Sequence, residues 1–235
     1  IKYFGAGKKS NNFNNPCILE LSDKKIALLG YSCETTSAIF GDESSNGSAL
    51  LDLELIKKDI ENCDADFIIV QLHWGMEEIP YPTYSDTHKA HQIIDFGADM
   101  IIGHHAHVVQ PVEEYKGKNI FYGIGNCIFP DFKMESHFDG EKFTRVSKKK
   151  QLKHNKQSIK VELDEKFNYA TQVIRLKKGK LNLDVNSKVP SFIPSCEKEF
   201  NRKLIKIQRI IMIRNFLISP KIPKLKHFKA MMGIK

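Results

Sequence analysis

No uninterrupted apolar run in this 235-residue chain reaches the roughly 20 residues that a membrane-spanning helix requires. Cysteine is sparse and unpaired in its spacing: Cys17, Cys33, Cys63, Cys127 and Cys196, with no C-x-x-C. That pattern excludes a disulfide framework and a cysteine-built zinc or redox motif, and predicts buried free thiols in a reducing compartment. There is no internal repeat. Nor is there a nucleic-acid recognition motif or an interleaving of aromatic with basic residues, so no specific nucleic-acid partner is expected. Nothing resembling a signal peptide opens the chain, and its first residue is Ile1 rather than methionine, which reads as a processed product or a fragment. The visible segment favours a cytoplasmic or membrane-associated protein. Acidic residues are outnumbered, 28 against 36 Lys and Arg, leaving a formal net charge of +8. That excess favours anionic partners such as phosphates, acidic polymers or a membrane surface, and carries no information about fold.

What the chain does have is concentrated between Phe67 and Phe129. Phe67–Leu72 is a buried-strand pattern that runs into His73-Trp74-Gly75. Met100–Ile102 is a second, running into Gly103-His104-His105-Ala106-His107. Between them Ala90, Ile93, Ile94 and Gly97 share one face of a helical pattern. Strand, helix and strand make a parallel βαβ unit with a right-handed crossover. Both histidine groups then fall at the carboxyl ends of near-neighbour strands, where open α/β sheets bind ligands.

The flanking segments complete an α/β chain with added β-structure. Residues 1–16 have loop composition. Cys17–Leu21 and Lys25–Tyr31 read as a strand pair turning at Ser22-Asp23-Lys24, and Ser32–Ser48 as a surface loop. Leu51, Leu55, Ile56 and Ile60 mark a helix over Leu51–Cys63. Pro111–Tyr115 and Asn119–Ile124 flank Lys116-Gly117-Lys118 as a hairpin. Asp131–Asn155 is charged and unpatterned, a mobile loop rather than an anion site. Ser158–Leu163, Ala170–Leu176 and Leu181–Val185 read as strands. From Cys196 the pattern becomes a basic amphipathic helix, with Phe200, Leu204, Ile207, Ile211 and Leu217 on one face among six Lys and Arg. Either it docks on the core with its basic face solvated, or it contacts acidic lipid or an acidic partner. Pro220 and Pro223 end it, and Lys221–Lys235 is expected to fray.

Neutral imidazole is a common ligand for zinc and similar metals. His105 and His107, two apart, can present both rings to one side, and His73 can add a third nitrogen from the neighbouring strand. Three histidines can hold a catalytic metal with an open position for water. A metal so held lowers the pKa of bound water to about 7. Glu77 is either an orienting carboxylate behind a ligand or a solvated one. Asn126 either holds backbone turns together or lines the site. Trp74 reads as packing, and His88 and His91 as structural or surface residues.

On these residues the chain resembles the CapA family of poly-γ-glutamate and capsule synthesis proteins. The resemblance rests on Leu72-His73-Trp74-Gly75 with Glu77, on Ala90-His91, Ile94-Asp95 and Gly97-Ala98-Asp99, and on Ile102-Gly103-His104-His105-Ala106-His107-Val108. Gln110-Pro111, Tyr115-Lys116-Gly117-Lys118, Gly125-Asn126, Gly5-Ala6-Gly7 and Lys25–Tyr31 extend it, so that it covers residues 3 to about 130. It implies a calcineurin-like metallophosphoesterase fold: a β-sandwich core flanked by helices, with a pair of divalent metal ions such as manganese, iron or zinc between the layers. It implies His73, His105 and His107 as metal ligands, with His104 as the other register of the His-His-x-His run, and Asn126 and Glu77 in support. The N-terminal Gly-Asp, Asn-Leu-Glu and Asn-Asn-His ligand motifs of such proteins are absent before Phe67. The expectation is therefore the C-terminal part of such a domain over residues 1–190, followed by a basic helical tail over 191–235. The function implied is capsule or exopolymer biosynthesis, with metal-dependent hydrolysis if the ligand set is completed elsewhere. The substrate would be an acidic polymer or a phosphorylated compound. The rival is a non-catalytic assembly or export factor that binds an acidic polymer, a membrane surface or a capsule-synthesis complex.

Overall fold

A computed structural model of the chain describes residues 2–8, 16–36, 38–42, 44–149, 151 and 153–218. In order, the elements are β1 (Ala6–Gly7), β2 (Cys17–Leu21), β3 (Lys24–Ser32), β4 (Gly47–Ser48), α1 (Leu53–Glu61), β5 (Phe67–His73), α2 (Tyr84–Asp95) and β6 (Met100–His104). Then come β7 (Val112–Tyr115), β8 (Lys118–Phe121), β9 (Phe132–Phe138), β10 (Phe143–Lys149), β11 (Gln157–Leu163), β12 (Tyr169–Lys177), β13 (Lys180–Leu183) and α3 (Glu197–Ile218). Two compact units result, Ile1–Pro194 and Ser195–Lys235.

The first unit is built on a six-stranded sheet of order β2-β3-β5-β6-β8-β7. Its four inner strands run parallel, and β2 and β7 close the edges antiparallel. The inner strands read as near-continuous apolar runs because both faces are covered. On one face Ala27, Leu29, Val70, Leu72 and Ile101 pack under Ile56 and Ile60 of α1 and Ala90, Ile93 and Ile94 of α2. On the other, Ile26, Phe67, Ile69, Met100 and Phe121 meet Val161 and Leu163 of β11 and the nearby Phe167. The strands β11, β12 and β13 form a three-stranded antiparallel sheet. The expected α/β core of two β-layers flanked by helices is therefore present.

Local chemistry fixes the ends of these elements. Asp52 caps α1 by accepting from the Leu55 N–H at 2.9 Å. Thr83 and Asp86 form a capping box at the start of α2, each side chain accepting from the other's backbone N–H. Lys116 (φ 50°) and Gly117 (φ 75°) give the two positive φ values that a tight β7–β8 hairpin turn needs. His91 ties α2 to β7, with Nε2 3.0 Å from Glu113 Oε1 and its ring stacked on Tyr115 at 3.9 Å, the structural role expected of it.

Three expectations require correction. Asp131–Asn155 is not an unpatterned loop: β9 and β10 pair as an antiparallel hairpin, from Phe143 opposite Phe138 to Lys149 opposite Phe132. Its turn is nucleated by Asp139, whose Oδ1 accepts from the N–H groups of Glu141 and Lys142, beside Gly140 at φ 107°. The Asp-Gly signal was present in the sequence but masked by the surrounding charge. Ser32–Ser48 contains a short 3-10 turn over Glu34–Thr36, and its β4 pairs with β1. The cysteines are free as expected, but only Cys17 and Cys33 are buried. Cys127 and Cys196 are exposed because they sit in the loop after β8 and at the start of α3.

In the second unit α3 is a 22-residue helix on which Phe200 is buried and Ile210 and Ile213 are exposed. No helix among the described residues is long and apolar enough to cross a membrane. The expected fraying of Lys221–Lys235 lies outside the described residues.

Gly103, on β6, marks the tightest approach in the core. A Cβ there would stand 1.9 Å from the Tyr122 carbonyl oxygen and 2.5 Å from Trp74 Nε1. Trp74 is itself 1% exposed and donates to that carbonyl at 3.0 Å, which establishes it as a packing residue. The Gly103→Ala variant is expected to lose about 3 kcal/mol or more, since backbone cannot yield as a side chain can. Gly117→Ala, which meets open space at positive φ, should lose only about 1–2 kcal/mol. Urea denaturation of both variants measures the contrast.

Candidate metal centre

Parallel pairing of β5 with β6 sets His73 opposite His104 at the carboxyl ends of the strands. Strand alternation then puts His73 and His104 on the face shared by Ile69 and Met100, the face covered by the second β-layer. Beyond His104 the chain leaves the sheet through two residues in the left-handed region, His105 at φ 82° and His107 at φ 57°. Such positions cost about 1–3 kcal/mol each for a non-glycine residue and persist only where the surroundings enforce them. Here they turn the chain back toward the strand end.

The result joins His105, rather than His104, to His73. His105 Nδ1 lies 3.1 Å from His73 Nε2, with ring centroids 4.7 Å apart. His107 follows, its centroid 6.2 Å from that of His105. His104, opposite His73 in the ladder, has its Nε2 buried without a hydrogen-bond partner among the described residues. Burial lowers its pKa.

His107 is oriented from behind. Asn126 Nδ2 donates to the carbonyl oxygens of His107 at 2.9 Å and Asn155 at 3.2 Å. The Asn126 Oδ1 therefore faces the His107 ring, accepting at 2.8 Å from Nδ1. That assigns the proton to Nδ1 and leaves the lone pair on Nε2, as when a histidine is prepared for a metal by a partner on its other nitrogen. Phe129 stacks on the same ring at 5.1 Å. Ser158 Oγ donates to the Asn126 carbonyl, and Gly125 bridges to Ser158, tying the loop after β8 to the start of β11. Asn155, Ser158 and Phe129 were not singled out in the sequence. They lie 22 to 51 positions from His107, and nothing in their local pattern marks them.

Burial first, and neighbouring rings second, disfavour protonation of His73 and His105. Burial chiefly lowers the His73 pKa, with further lowering from the rings of His105, His104 and His107 and an opposing pull from Glu77. Burial likewise lowers that of His105, again opposed by Glu77. Glu77 thus stands near enough to both rings to favour positive charge between them. His105 and Glu77 also line a cleft of about 690 Å³ with Cys33, Thr36, Gly75 and Lys89.

The donor set fits a divalent metal in part. Two imidazole nitrogens 3.1 Å apart match neighbouring ligands of one ion, since nitrogen ligands at about 2.0–2.1 Å and near-right angles stand about 3 Å from each other. His107 presents a free Nε2 beside them. Among the described residues, however, no three His, Cys, Asp or Glu side chains are arranged to hold a single ion. The three histidines are neighbours without forming a closed ligand set.

The bacterial capsule synthesis protein profile PGA_cap matches residues 1–131 of the chain, more than half of its length. The capsule biosynthesis protein CapA of Bacillus anthracis is 30% identical over 135 residues, which cover 55% of this chain and 33% of the relative. The PGA biosynthesis protein CapA of Bacillus subtilis (strain 168) is 36% identical over 106 residues, covering 44% of this chain and 28% of the relative. The chain thus spans about a third of the length of these relatives or less. A solved structure of a putative 5'-nucleotidase from Staphylococcus aureus superposes with a TM-score of 0.37 at 15% identity, covering 82% of this chain and 34% of that one.

Two measurements check this geometry. Long-range ¹⁵N–¹H correlation spectra should show His107 protonated on Nδ1, and Asn126→Ala should return it toward a mixture of tautomers. The second concerns acid. Because the folded-state pKa values of His73, His104 and His105 lie below the ordinary 6.5, the unfolded chain takes up their protons first as pH falls. Their contribution is intact above pH about 6.5 and lost as pH drops through the folded values, so the urea midpoint should fall from pH 7 to 5. His104→Gln should flatten that slope.

Proposed function

The chain belongs to the bacterial capsule synthesis protein family PGA_cap, and on that premise we propose that it serves the production of an acidic capsule polymer through a metallophosphoesterase-like site. The observation that carries the reading is the contact of His73 Nε2 with His105 Nδ1 at 3.1 Å beside a His107 whose tautomer Asn126 selects. In this reading His73 and His105 would hold one divalent ion, manganese, iron or zinc, and His107 Nε2 would serve a second. Such ions supply a hydroxide near neutral pH and a Lewis acid for a phosphoryl or related ester oxygen.

The chain's own residues do the positioning. Asn126, held by two backbone carbonyls and bridged to β11, keeps the His107 ring from rotating and its lone pair outward. Phe129 covers one face of that ring and limits water there. Glu77 offsets positive charge that develops beside His73 and His105. Lys89, on the wall of the cleft that His105 lines, offers a cation to an anionic substrate group. The polymer or its precursor would enter by this cleft.

Calorimetric titration with Mn²⁺ or Zn²⁺ tests the proposal, followed by turnover of bis(p-nitrophenyl) phosphate by the metal-loaded protein. His105→Ala should abolish tight binding. Asn126→Ala, which touches no metal, should weaken it about 10- to 100-fold. Metal affinity unchanged in a His73→Ala/His105→Ala/His107→Ala variant would remove the site.

A further inference from the structure

The positive charge of the chain is not spread over it. Residues 200–235 hold ten of the 36 Lys and Arg and none of the 28 Asp and Glu, so the rest of the chain carries 26 basic against 28 acidic side chains. The formal charge of +8 therefore belongs to the end of the chain. An anionic partner drawn by that charge is drawn to the tail rather than to the sheets.

The described part of the tail is α3, along which burial fades. Phe200 is 4% exposed, and Leu204 and Ile207 are half-buried. Ile210, Ile211, Met212 and Ile213 are 64%, 38%, 39% and 55% exposed. Consecutive residues of a helix step by about 100° around its axis, so no single docked face covers all four. Acidic side chains stand only in the first turn, at Glu197 and Glu199. Lys206 precedes Ile210 by four positions and Arg209 precedes Ile213 by four, which sets each cation beside an exposed apolar side chain.

The two features together select the partner. A soluble polyanion takes the cations and leaves the isoleucines in water. An apolar protein groove takes the isoleucines and strips the cations of water at a cost. The interface of a bilayer containing acidic lipid accepts both, because apolar side chains enter the acyl boundary while Lys and Arg stems reach up to the phosphates. No helix among the described residues is long and apolar enough to cross a membrane, so the contact is with its surface. We propose that α3 is a membrane-surface contact that seats on acidic phospholipid, with Ile210 and Ile213 inserted and Arg202, Lys206 and Arg209 on the headgroup phosphates. The tail alone carries this inference, which does not depend on the histidines holding metal.

Flotation of the full chain with vesicles of phosphatidylcholine containing about one-third phosphatidylglycerol, against phosphatidylcholine alone, tests the contact. The protein should float with the acidic vesicles, stay behind with the neutral ones, and be released as salt rises from about 0.1 to 1 M. Arg202→Gln/Lys206→Gln/Arg209→Gln should weaken binding about 100-fold. Ile210→Ser/Ile213→Ser should weaken it about tenfold or more, with helix content by circular dichroism equal to that of the parent. Ile213→Trp supplies a reporter that leaves the cations in place, since the chain's one tryptophan, Trp74, is buried. Its emission should move to the blue on acidic vesicles. Absence of binding to acidic vesicles overturns the proposal, as does an unmoved emission in Ile213→Trp. Binding that is lost with the cations but indifferent to Ile210→Ser/Ile213→Ser also overturns it, because the tail would then be a general polyanion contact.

Discussion

The lateral hydrogen bonding of β5 to β6 is the constraint from which the site follows. It sets the residue after Leu72 opposite the residue after Gly103, so two histidine-bearing strand ends finish side by side. The alignment is tight because Gly103 lets the Tyr122 carbonyl and the Trp74 indole close up beneath it. A larger residue at that point would push β6 away from its neighbours, and the 3.1 Å contact between His73 and His105 would open. Packing in the core and chemistry at the rim are therefore one requirement.

The second layer contributes through orientation rather than ligands. The loop after β8 would leave Asn126 free to rotate if Ser158 of β11 and the Asn155 carbonyl of the turn before it did not hold Gly125 and Asn126. With that support the asparagine amide has one orientation, and the His107 ring has one tautomer. The strained backbone at His105 and His107 belongs to the same arrangement: the turn that brings the rings together is stabilised by contacts made elsewhere.

Much of this was legible in the sequence, for physical reasons. Buried parallel strands show as apolar runs, and Phe67–Leu72 and Met100–Ile102 could be located by them. Imidazoles at the ends of such runs fall at one sheet edge by topology alone. The preference for His105 over His104 came from the His105–His107 spacing and the resemblance, whereas the positive φ at His105, through which its ring meets that of His73, is reported by no side-chain pattern. The role of Asn126 was open between turn-holding and site-lining; its Nδ2 donates to two carbonyls and its Oδ1 accepts from the His107 ring. Its supports at Asn155 and Ser158 come from sequence-distant pairing, which periodicity cannot show. The β9–β10 hairpin was obscured because β10, with Arg145, Ser147, Lys148 and Lys149, lacks an apolar alternation.

The central claim is that His73 and His105 face one point as metal ligands and that His107 is poised beside them. X-ray absorption at the zinc edge of the zinc-loaded protein tests this most directly. The account predicts imidazole scattering from at least two histidines at about 2.0–2.1 Å, reduced by one in His105→Ala. A first shell made of oxygen alone, or one unaltered by His105→Ala, would contradict it.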